Sequence, residues 1–172
     1  PAGVVTQNWV TIINTTSTQN LVYSMVFDAS GNLYAANYTL NTISKITPAG
    51  VLTQNWATLP NGSRPRDMVF DANGNLYVAN EASSTITKIS TSGATQVFAT
   101  LTAGSNPIGI TIDANGNLYT ANQLRNSVSK ITPSGVVTQS FATLLQNAPY
   151  PPDGDLDLGA NPTDIAIDIN KG

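Results

Sequence analysis

The chain repeats itself with a period of 42 to 43 residues, and this repeat constrains its fold more than any other feature. The segment that begins at Asp71 reads Asp-Ala-Asn-Gly-Asn-Leu-Tyr-Val-Ala-Asn, and close copies of it begin at Asp28 and Asp113. A fixed period of this size is typical of arrays in which each unit is one supersecondary structure. The sequence therefore predicts stacked like units rather than one central core.

Each repeat contains four short segments with strand character, separated by turn formers. The third segment alternates apolar and polar residues, as in Thr42–Thr47, and alternation with a period of two predicts a β-strand. The Asp-Ala-Asn-Gly turns predict tight hairpins, because Gly adopts positive φ and Asp accepts a bond from the backbone two residues on. Four antiparallel strands in a unit of about 40 residues are the pattern of a propeller blade.

The chain begins and ends inside a repeat. Pro1–Gly3 matches Pro48–Gly50, which precedes a fourth strand, and the segment ending at Asp168 matches a first strand. We predict an all-β fold, a partial β-propeller of four-stranded antiparallel blades with about three full blades and two flanking strands. A fragment of a longer array and a half-ring that closes with another copy both remain open. Within one domain, residues 1–172, the predicted repeats are 1–21 (last strand only), 22–59, 60–101, 102–144 and 145–172 (first strand only).

Three stretches recur along nearly the whole chain. They are Pro-x-Gly-Ile-x-Ile-Asp at Pro107–Asp113, then Gly-Asn-Leu-Tyr-x-Ala-Asn, then Ile-x-Lys-Ile. Together they resemble the NHL-repeat family and, more loosely, the streptogramin lyase and gluconolactonase-like propellers. The resemblance implies roughly six blades in a complete ring. It does not specify the activity, because this fold hosts unrelated functions.

Composition restricts the chemistry that this segment can perform. The 172 residues include no Cys and no His, 10% are charged, and the net charge is −3. Disulfides and thiolate sites are therefore excluded, and the commonest general acid or base near neutral pH is missing. Lys and Arg do not cluster as nucleic-acid binding would require, and no apolar run is long enough to span a membrane. The polar, weakly charged composition favours a secreted or cell-surface protein of a bacterium or archaeon.

We predict that the functional site lies at the end of the array where the loops vary between repeats, because variable loops on a constant scaffold commonly carry function. In propellers the channel mouth is built by the loops that enter each first strand, here residues 12–23, 60–67, 102–109 and 145–164. Loops that join the second strand to the third complete it, here residues 37–41, 80–84 and 122–126. We predict ligand binding by the following residues of these loops: Tyr23, Arg66, Asp67, Asn80, Glu81, Arg125 and Asp164.

The acidic residues of these loops leave alternatives open. Asp67 and Asp164 occupy equivalent positions, where they either hold a cation or a sugar or are solvated, with Asp67 then paired to Arg64 or Arg66. Asn80 recurs in every repeat, so its alternative role is to close the turn to the third strand.

A candidate calcium site lies in the insert after the third full repeat. Asp153, Asp155 and Asp157 alternate there in a way that is similar to the start of an EF-hand loop, although the Gly and the flanking helices of that motif are missing. The alternative is a polar loop that binds no metal and is stiffened by Pro151 and Pro152.

Two classes of function remain open. The first is a non-catalytic binding or structural module that contacts a protein, a glycan, or further blades from the same or another copy of the chain. No catalytic residue is predicted, since no nucleophile–base pair is evident. The resemblance implies the alternative, a metal-dependent hydrolase or lyase of the gluconolactonase-like type with a cation in the channel and Asp67, Asp164 and Asn80 as ligands. Oxygen ligands of this kind suit Ca²⁺. The lyases that the chain resembles also use a histidine, which this segment does not supply.

Overall fold

The computed structural model describes residues 21–143, which form three four-stranded antiparallel sheets. Each sheet takes four strands in sequence order, so each repeat folds as one blade and the predicted propeller architecture is confirmed. The flanking strands predicted before and after these blades lie outside the described residues. Blade 1 consists of β1 (Val22–Phe27), β2 (Leu33–Asn37), β3 (Thr42–Ile46) and β4 (Leu52–Thr58). Blade 2 consists of β5 (Pro65–Phe70), β6 (Leu76–Asn80), β7 (Thr85–Ile89) and β8 (Thr95–Thr100), and blade 3 of β9 (Pro107–Ile112), β10 (Leu118–Asn122), β11 (Ser127–Ile131) and β12 (Val137–Thr143).

An aspartate builds the turn between the first and second strands of every blade. Asp28 Oδ1 accepts the backbone N–H groups of Ser30 and Asn32 at 2.9 Å each, which confirms the predicted bond two residues on. Its Oδ2 accepts the Asn32 side-chain amide at 2.8 Å and the Tyr34 hydroxyl at 3.0 Å. The same four bonds recur at 2.8–3.4 Å around two equivalent carboxylates, Asp71 and Asp113.

These three aspartates are expected to make the fold sensitive to acid. Desolvation raises the pKa of Asp28, Asp71 and Asp113, but the hydrogen bonds from Asn side chains and from the backbone outweigh it, and each pKa lies below its ordinary value. A carboxyl with a lowered folded-state pKa stabilises the fold above its unfolded pKa of about 3.9, and this contribution is lost as the pH falls through the folded pKa. We expect the free energy of unfolding, measured by urea titration, to decrease as the pH drops below about 4.

The control for this prediction is the triple variant Asp28→Asn/Asp71→Asn/Asp113→Asn. It should be less stable than the parent at neutral pH, because an amide nitrogen cannot accept the turn hydrogen bonds. Its stability should depend less on pH in the acid range, because the amides do not titrate. An acid dependence as steep as that of the parent would contradict the prediction.

The apolar core lies between neighbouring blades. Successive side chains of a strand point to opposite faces, so blade 2 packs one face on blade 1 and the other on blade 3. The cluster between blades 1 and 2 contains Tyr34, Ala36, Ile43, Ala57, Leu59, Met68, Leu76, Val78 and Ile89. The equivalent cluster between blades 2 and 3 contains Tyr77, Ala79, Ile86, Ala99, Leu101, Ile110, Leu118 and Ile131. The core is therefore distributed along the array, as the repeat predicts.

Candidate functional site

Where residues 21–143 include them, the two sets of variable loops meet at one end of the array, which we call the mouth. Backbone hydrogen bonds of 2.9–3.1 Å join them in each blade, from Tyr38 to Leu21, from Glu81 to Arg64 and from Gln123 to Asn106. The aspartate turns lie at the opposite end with the turns between the third and fourth strands, where a Cβ added at Gly31 would lie 3.5 Å from Pro48 Cγ. The first strands β1, β5 and β9 contact one another in order.

Tyr23, Arg66 and Glu81 come together at the mouth, between blades 1 and 2. The guanidinium carbon of Arg66 lies 3.8 Å from the centroid of the Tyr23 ring, and Arg66 Nε lies 3.9 Å from Glu81 Oε2. A cation over an aromatic ring contributes about 0.5–1 kcal/mol at an exposed site. Tyr23 is 46% exposed, so much of its surface remains available to a ligand. Three of the predicted residues therefore form one continuous surface.

Tyr38 and Arg64 extend this surface, although they are not among the site residues predicted from the sequence. The Tyr38 ring meets Tyr23 edge to face with centroids 4.8 Å apart, and the Arg64 guanidinium carbon lies 5.6 Å from the Tyr38 centroid. The Arg64 backbone takes φ 53 and its N–H donates to Asn41 Oδ1 at 2.7 Å. The sequence signal that could have identified this region is the variation, from repeat to repeat, of the residue that follows the repeated Asn. We call Tyr23, Tyr38, Arg64, Arg66 and Glu81 the arginine–tyrosine cluster.

Glu81 brings an unsatisfied acceptor to this cluster. Its Oε2 is shielded from solvent and has no hydrogen-bond partner among the described residues. Arg66 Nε, at 3.9 Å, is too distant to donate a hydrogen bond. Leaving a shielded carboxylate oxygen without a donor costs free energy, and the charge of Arg66 offsets part of this cost. The Glu81 side chain is 21% exposed, so a ligand reaches its exposed part rather than Oε2.

Asp67 takes part in contacts between blades. Its Oδ1 accepts the Ser24 hydroxyl of β1 and its Oδ2 accepts the Ile110 backbone N–H of β9, both at 2.9 Å. One side chain of β5 thus links the first strands of all three blades. The alternative in which Asp67 pairs with Arg64 or Arg66 is wrong, because within residues 21–143 the ion pair at the mouth joins Arg66 to Glu81.

Asn80 lies buried behind the mouth, at the end of β6. Its Nδ2 donates to the hydroxyls of Thr85 and Thr87 at 3.0 and 2.8 Å, and its Oδ1 has no partner among the described residues. Asn37 and Asn122 donate to equivalent hydroxyls of β3 and β11. The repeated Asn therefore ties the second strand to the third, which agrees with the turn-closing alternative.

The remaining predicted residues lie apart from the cluster or outside the described chain. Arg125 belongs to the 3₁₀ turn Gln123–Arg125, and its Nη2 donates to the Ala103 carbonyl at 2.7 Å. Asp153, Asp155, Asp157 and Asp164 lie outside the described residues. In the stretch from residue 21 to residue 143, no three acidic residues lie close enough to hold a metal ion.

The opposite end of the array has a cleft of about 690 Å³ between blades 2 and 3, lined in part by Asp71 and Asp113. Both carboxylates already accept four hydrogen bonds within their own turns. They offer little further capacity to a ligand, so the mouth is the stronger candidate site.

Stacked four-stranded blades with a polar mouth define the class of protein as a β-propeller, of which the described residues form an arc. The model of the virginiamycin B lyase family matches residues 4–150, and the chain belongs to this family. The resemblance to streptogramin lyases is thereby confirmed, whereas the NHL-repeat assignment stays a prediction.

Solved structures share the fold and extend beyond this chain. Virginiamycin B lyase from Staphylococcus aureus is 22% identical with a TM-score of 0.65, over 76% of this chain and 45% of that chain. A catalytically inactive histidine-to-alanine variant of the S. aureus lyase, with quinupristin, is 25% identical with a TM-score of 0.64, over 73% and 43%. A proposed 6-phosphogluconolactonase from Bacteroides uniformis is 19% identical with a TM-score of 0.57, over 74% and 43%. The chain thus spans less than half of each structure, and no curated protein matches it.

Proposed function

We propose that this chain is a non-catalytic binding module of the virginiamycin B lyase family, and that its mouth binds a peptide through the arginine–tyrosine cluster. The stack of Arg66 on Tyr23 beside Glu81 carries this proposal. Tyr23 is 46% exposed beside the stacked Arg66, and the Glu81 carboxylate side chain is 21% exposed. A peptide has the complementary groups, since its N–H groups can donate to Glu81 and its apolar side chains can pack on Tyr23.

The absence of histidine supports a non-catalytic role for this segment. The S. aureus lyase variant in which alanine replaces a histidine is catalytically inactive. The 172 residues of this chain contain no histidine at all, and no cysteine. Its mouth can therefore offer contacts to a ligand without the side chain that most often transfers protons near neutral pH.

We place this module, with its NHL-like repeats, in a secreted or cell-surface protein. The support is compositional, since Asn, Ser and Thr are abundant and only 10% of the residues are charged. Between residues 21 and 143, no helix has the length and apolar character needed to cross a bilayer.

Isothermal titration with quinupristin, the compound present with the inactive lyase variant, tests the proposal. We expect saturable binding to the parent chain. Tyr23→Ala and Glu81→Gln should each bind about tenfold more weakly, because losing one central contact costs about 1.4 kcal/mol or more. Arg125→Ala is the matched control, since Arg125 contacts Ala103 and not the cluster.

The same samples separate binding from catalysis. Quinupristin recovered after incubation should keep both its mass and its chromatographic retention time, because a binding module leaves its ligand chemically unchanged. A product of changed mass, or an isomer of equal mass and changed retention time, would favour an enzyme. The absence of any binding heat would overturn the peptide assignment. Equal weakening by Tyr23→Ala and Arg125→Ala would show that the ligand binds elsewhere.

Family membership favours one second function, a metal-dependent hydrolase or lyase with a cation in the channel. The described part of its ligand set fits poorly, because both Asp67 oxygens accept hydrogen bonds and Asn80 is fully buried. Calcium titration of the parent and of Asp164→Asn distinguishes the two functions. Tight calcium binding by the parent that Asp164→Asn abolishes would support the enzyme. Calcium-binding heats that are the same in the parent and in Asp164→Asn would support the binding module.

A further inference from the structure

Three Asn-Gly pairs occur in the sequence, and the fold places them in two different settings. In such a pair the backbone nitrogen of Gly can attack the side-chain amide carbon of Asn, because Gly has no Cβ to hinder the approach. The pairs are Asn61-Gly62, Asn73-Gly74 and Asn115-Gly116. All three asparagines are exposed, so exposure of the amide does not distinguish the pairs. The hydrogen bonds of the attacking nitrogen do.

The hairpin turns engage two of the three attacking nitrogens. Gly74 N–H donates to the Asp71 carbonyl at 3.1 Å, and Gly116 N–H donates to the Asp113 carbonyl at 3.0 Å. Each aspartate side chain also accepts the N–H groups of the residues on either side of its Gly, at 2.9 and 2.8 Å. In both turns the nitrogen can therefore attack only after its own hydrogen bond has broken.

The pair Asn61-Gly62 lies in the mouth loop that enters β5, where the attacking nitrogen is unprotected. The ends of this turn are held, since Ser63 donates to the Pro60 carbonyl through its N–H at 3.1 Å and through its hydroxyl at 2.6 Å. Gly62 is exposed, and its N–H has no hydrogen-bond partner among residues 21–143. A Cβ added at Gly62 would meet no atom within 4 Å, so the centre of the turn has room to rearrange.

We propose that Asn61 is a site of spontaneous deamidation, which adds a negative charge to the mouth. Base removes the proton of the Gly62 N–H, and the nitrogen forms a bond to Asn61 Cγ while the bond from Cγ to Nδ2 breaks and ammonia leaves. Water then opens the resulting succinimide ring. Opening at Cγ gives aspartate, and opening at the main-chain carbonyl carbon gives isoaspartate. One water is consumed and one ammonia is released, without an oxidant or a reductant.

The fold does not require an asparagine in this turn. The equivalent turn of blade 3 has Ala103 in the place of Asn61. It is closed by the same two bonds, from the N–H and the hydroxyl of Ser105 to the Thr102 carbonyl at 3.0 and 2.6 Å. The reactive amide is thus an addition to a turn that forms without it.

The new carboxylate changes the charge of the loop that carries Arg64. Arg64 follows Asn61 by three residues, is exposed, and has no ion-pair partner in the described part of the chain. It belongs to the arginine–tyrosine cluster, so the modification alters the electrostatics of the mouth. The reaction itself needs no ligand, so it goes beyond the proposed peptide binding and does not depend on it.

Peptide mapping of the folded chain after incubation at mildly alkaline pH tests the proposal. Trypsin cleaves after Lys and Arg and separates the three pairs into residues 46–66, 67–88 and 89–125. Mass spectrometry detects the change of an amide to an acid in each peptide. We expect residues 46–66 to deamidate about tenfold faster than the other two peptides, because a hairpin must first lose at least one turn hydrogen bond. Asn61→Ala, which copies the turn of blade 3, should abolish the fast reaction.

The same incubation in urea is the control for the role of the fold. Unfolding removes the hydrogen bonds of the hairpin turns, so the three peptides should then deamidate at similar rates. Equal rates in the folded chain, or a rate at Asn61 that is the slowest of the three, would overturn the proposal. A preference for Asn61 that persists unchanged in urea would also overturn it, because the cause would then be the neighbouring residues in the sequence and not the structure of the turn.

Discussion

Gly93→Ala is expected to destabilise the chain by about 2–5 kcal/mol, because two separate costs add. Gly93 lies in the turn between β7 and β8 with φ +87, a conformation that costs an L-residue about 1–2 kcal/mol. The added Cβ would also lie 2.6 Å from the backbone carbonyl oxygen of Trp56 in blade 1. A backbone oxygen cannot rotate away, so blades 1 and 2 must move apart, at a cost of about 1–3 kcal/mol.

Gly104→Ala separates these two costs. Gly104 has φ +74, but a Cβ added there meets no atom within 4 Å, so the conformational cost of about 1–2 kcal/mol applies alone. Gly135→Ala should fall between the other two, since its Cβ would lie 3.1 Å from the Phe98 carbonyl oxygen. Urea unfolding at constant m-value gives the three free energies. Equal losses for Gly93→Ala and Gly104→Ala would contradict a contact between blades at Gly93.

The blade was predictable from sequence because its determinants are local. The Asp-Ala-Asn-Gly turn specifies its own hydrogen bonds, and Asp28 makes them within six residues of chain. Alternation then assigns the two faces of each strand. Contacts between blades were not predictable in this way, because they join residues about one repeat apart. The sequence shows a Gly in the turn that contains Gly93, but not that this turn lies against Trp56.

The candidate site was predictable only in part, for the same reason. Loop variation selected Tyr23, Arg66 and Glu81, and the fold brings these three together. Loop variation also selected Asp67, whose oxygens the fold commits to Ser24 and Ile110. A sequence shows that a side chain is ionised, whereas its hydrogen-bond partners depend on how neighbouring blades are placed. Ligand binding by the cluster itself stays a prediction.

Asp67→Ala is expected to destabilise the chain by about 3 kcal/mol, because two hydrogen bonds to an ionised group are lost. One of them leaves the backbone N–H of Ile110 without this acceptor, at a residue that is 4% exposed. Asp67→Asn should cost less, about 1–2 kcal/mol, because the amide oxygen still accepts one of the two bonds. Urea unfolding measures both losses, and hydrogen exchange should speed up in β1 and β9 together, because the side chain links both strands to β5.

Three comparisons decide whether Asp67 links the blades or binds a ligand. Ser24→Ala removes one of its two bonds and should cost less than Asp67→Ala. A double-mutant cycle between Ser24 and Asp67 isolates the free energy of that pair. Glu81→Gln removes a charge at the same mouth without touching either bond. It gives up the ion pair with Arg66, so it should change the free energy of unfolding by about 1 kcal/mol at most. One result would contradict the linking role: Asp67→Ala weakens ligand binding but leaves the free energy of unfolding at the parent value. Asp67 would then be a binding residue, as first predicted. The three first strands would in that case be held together by their apolar contacts alone.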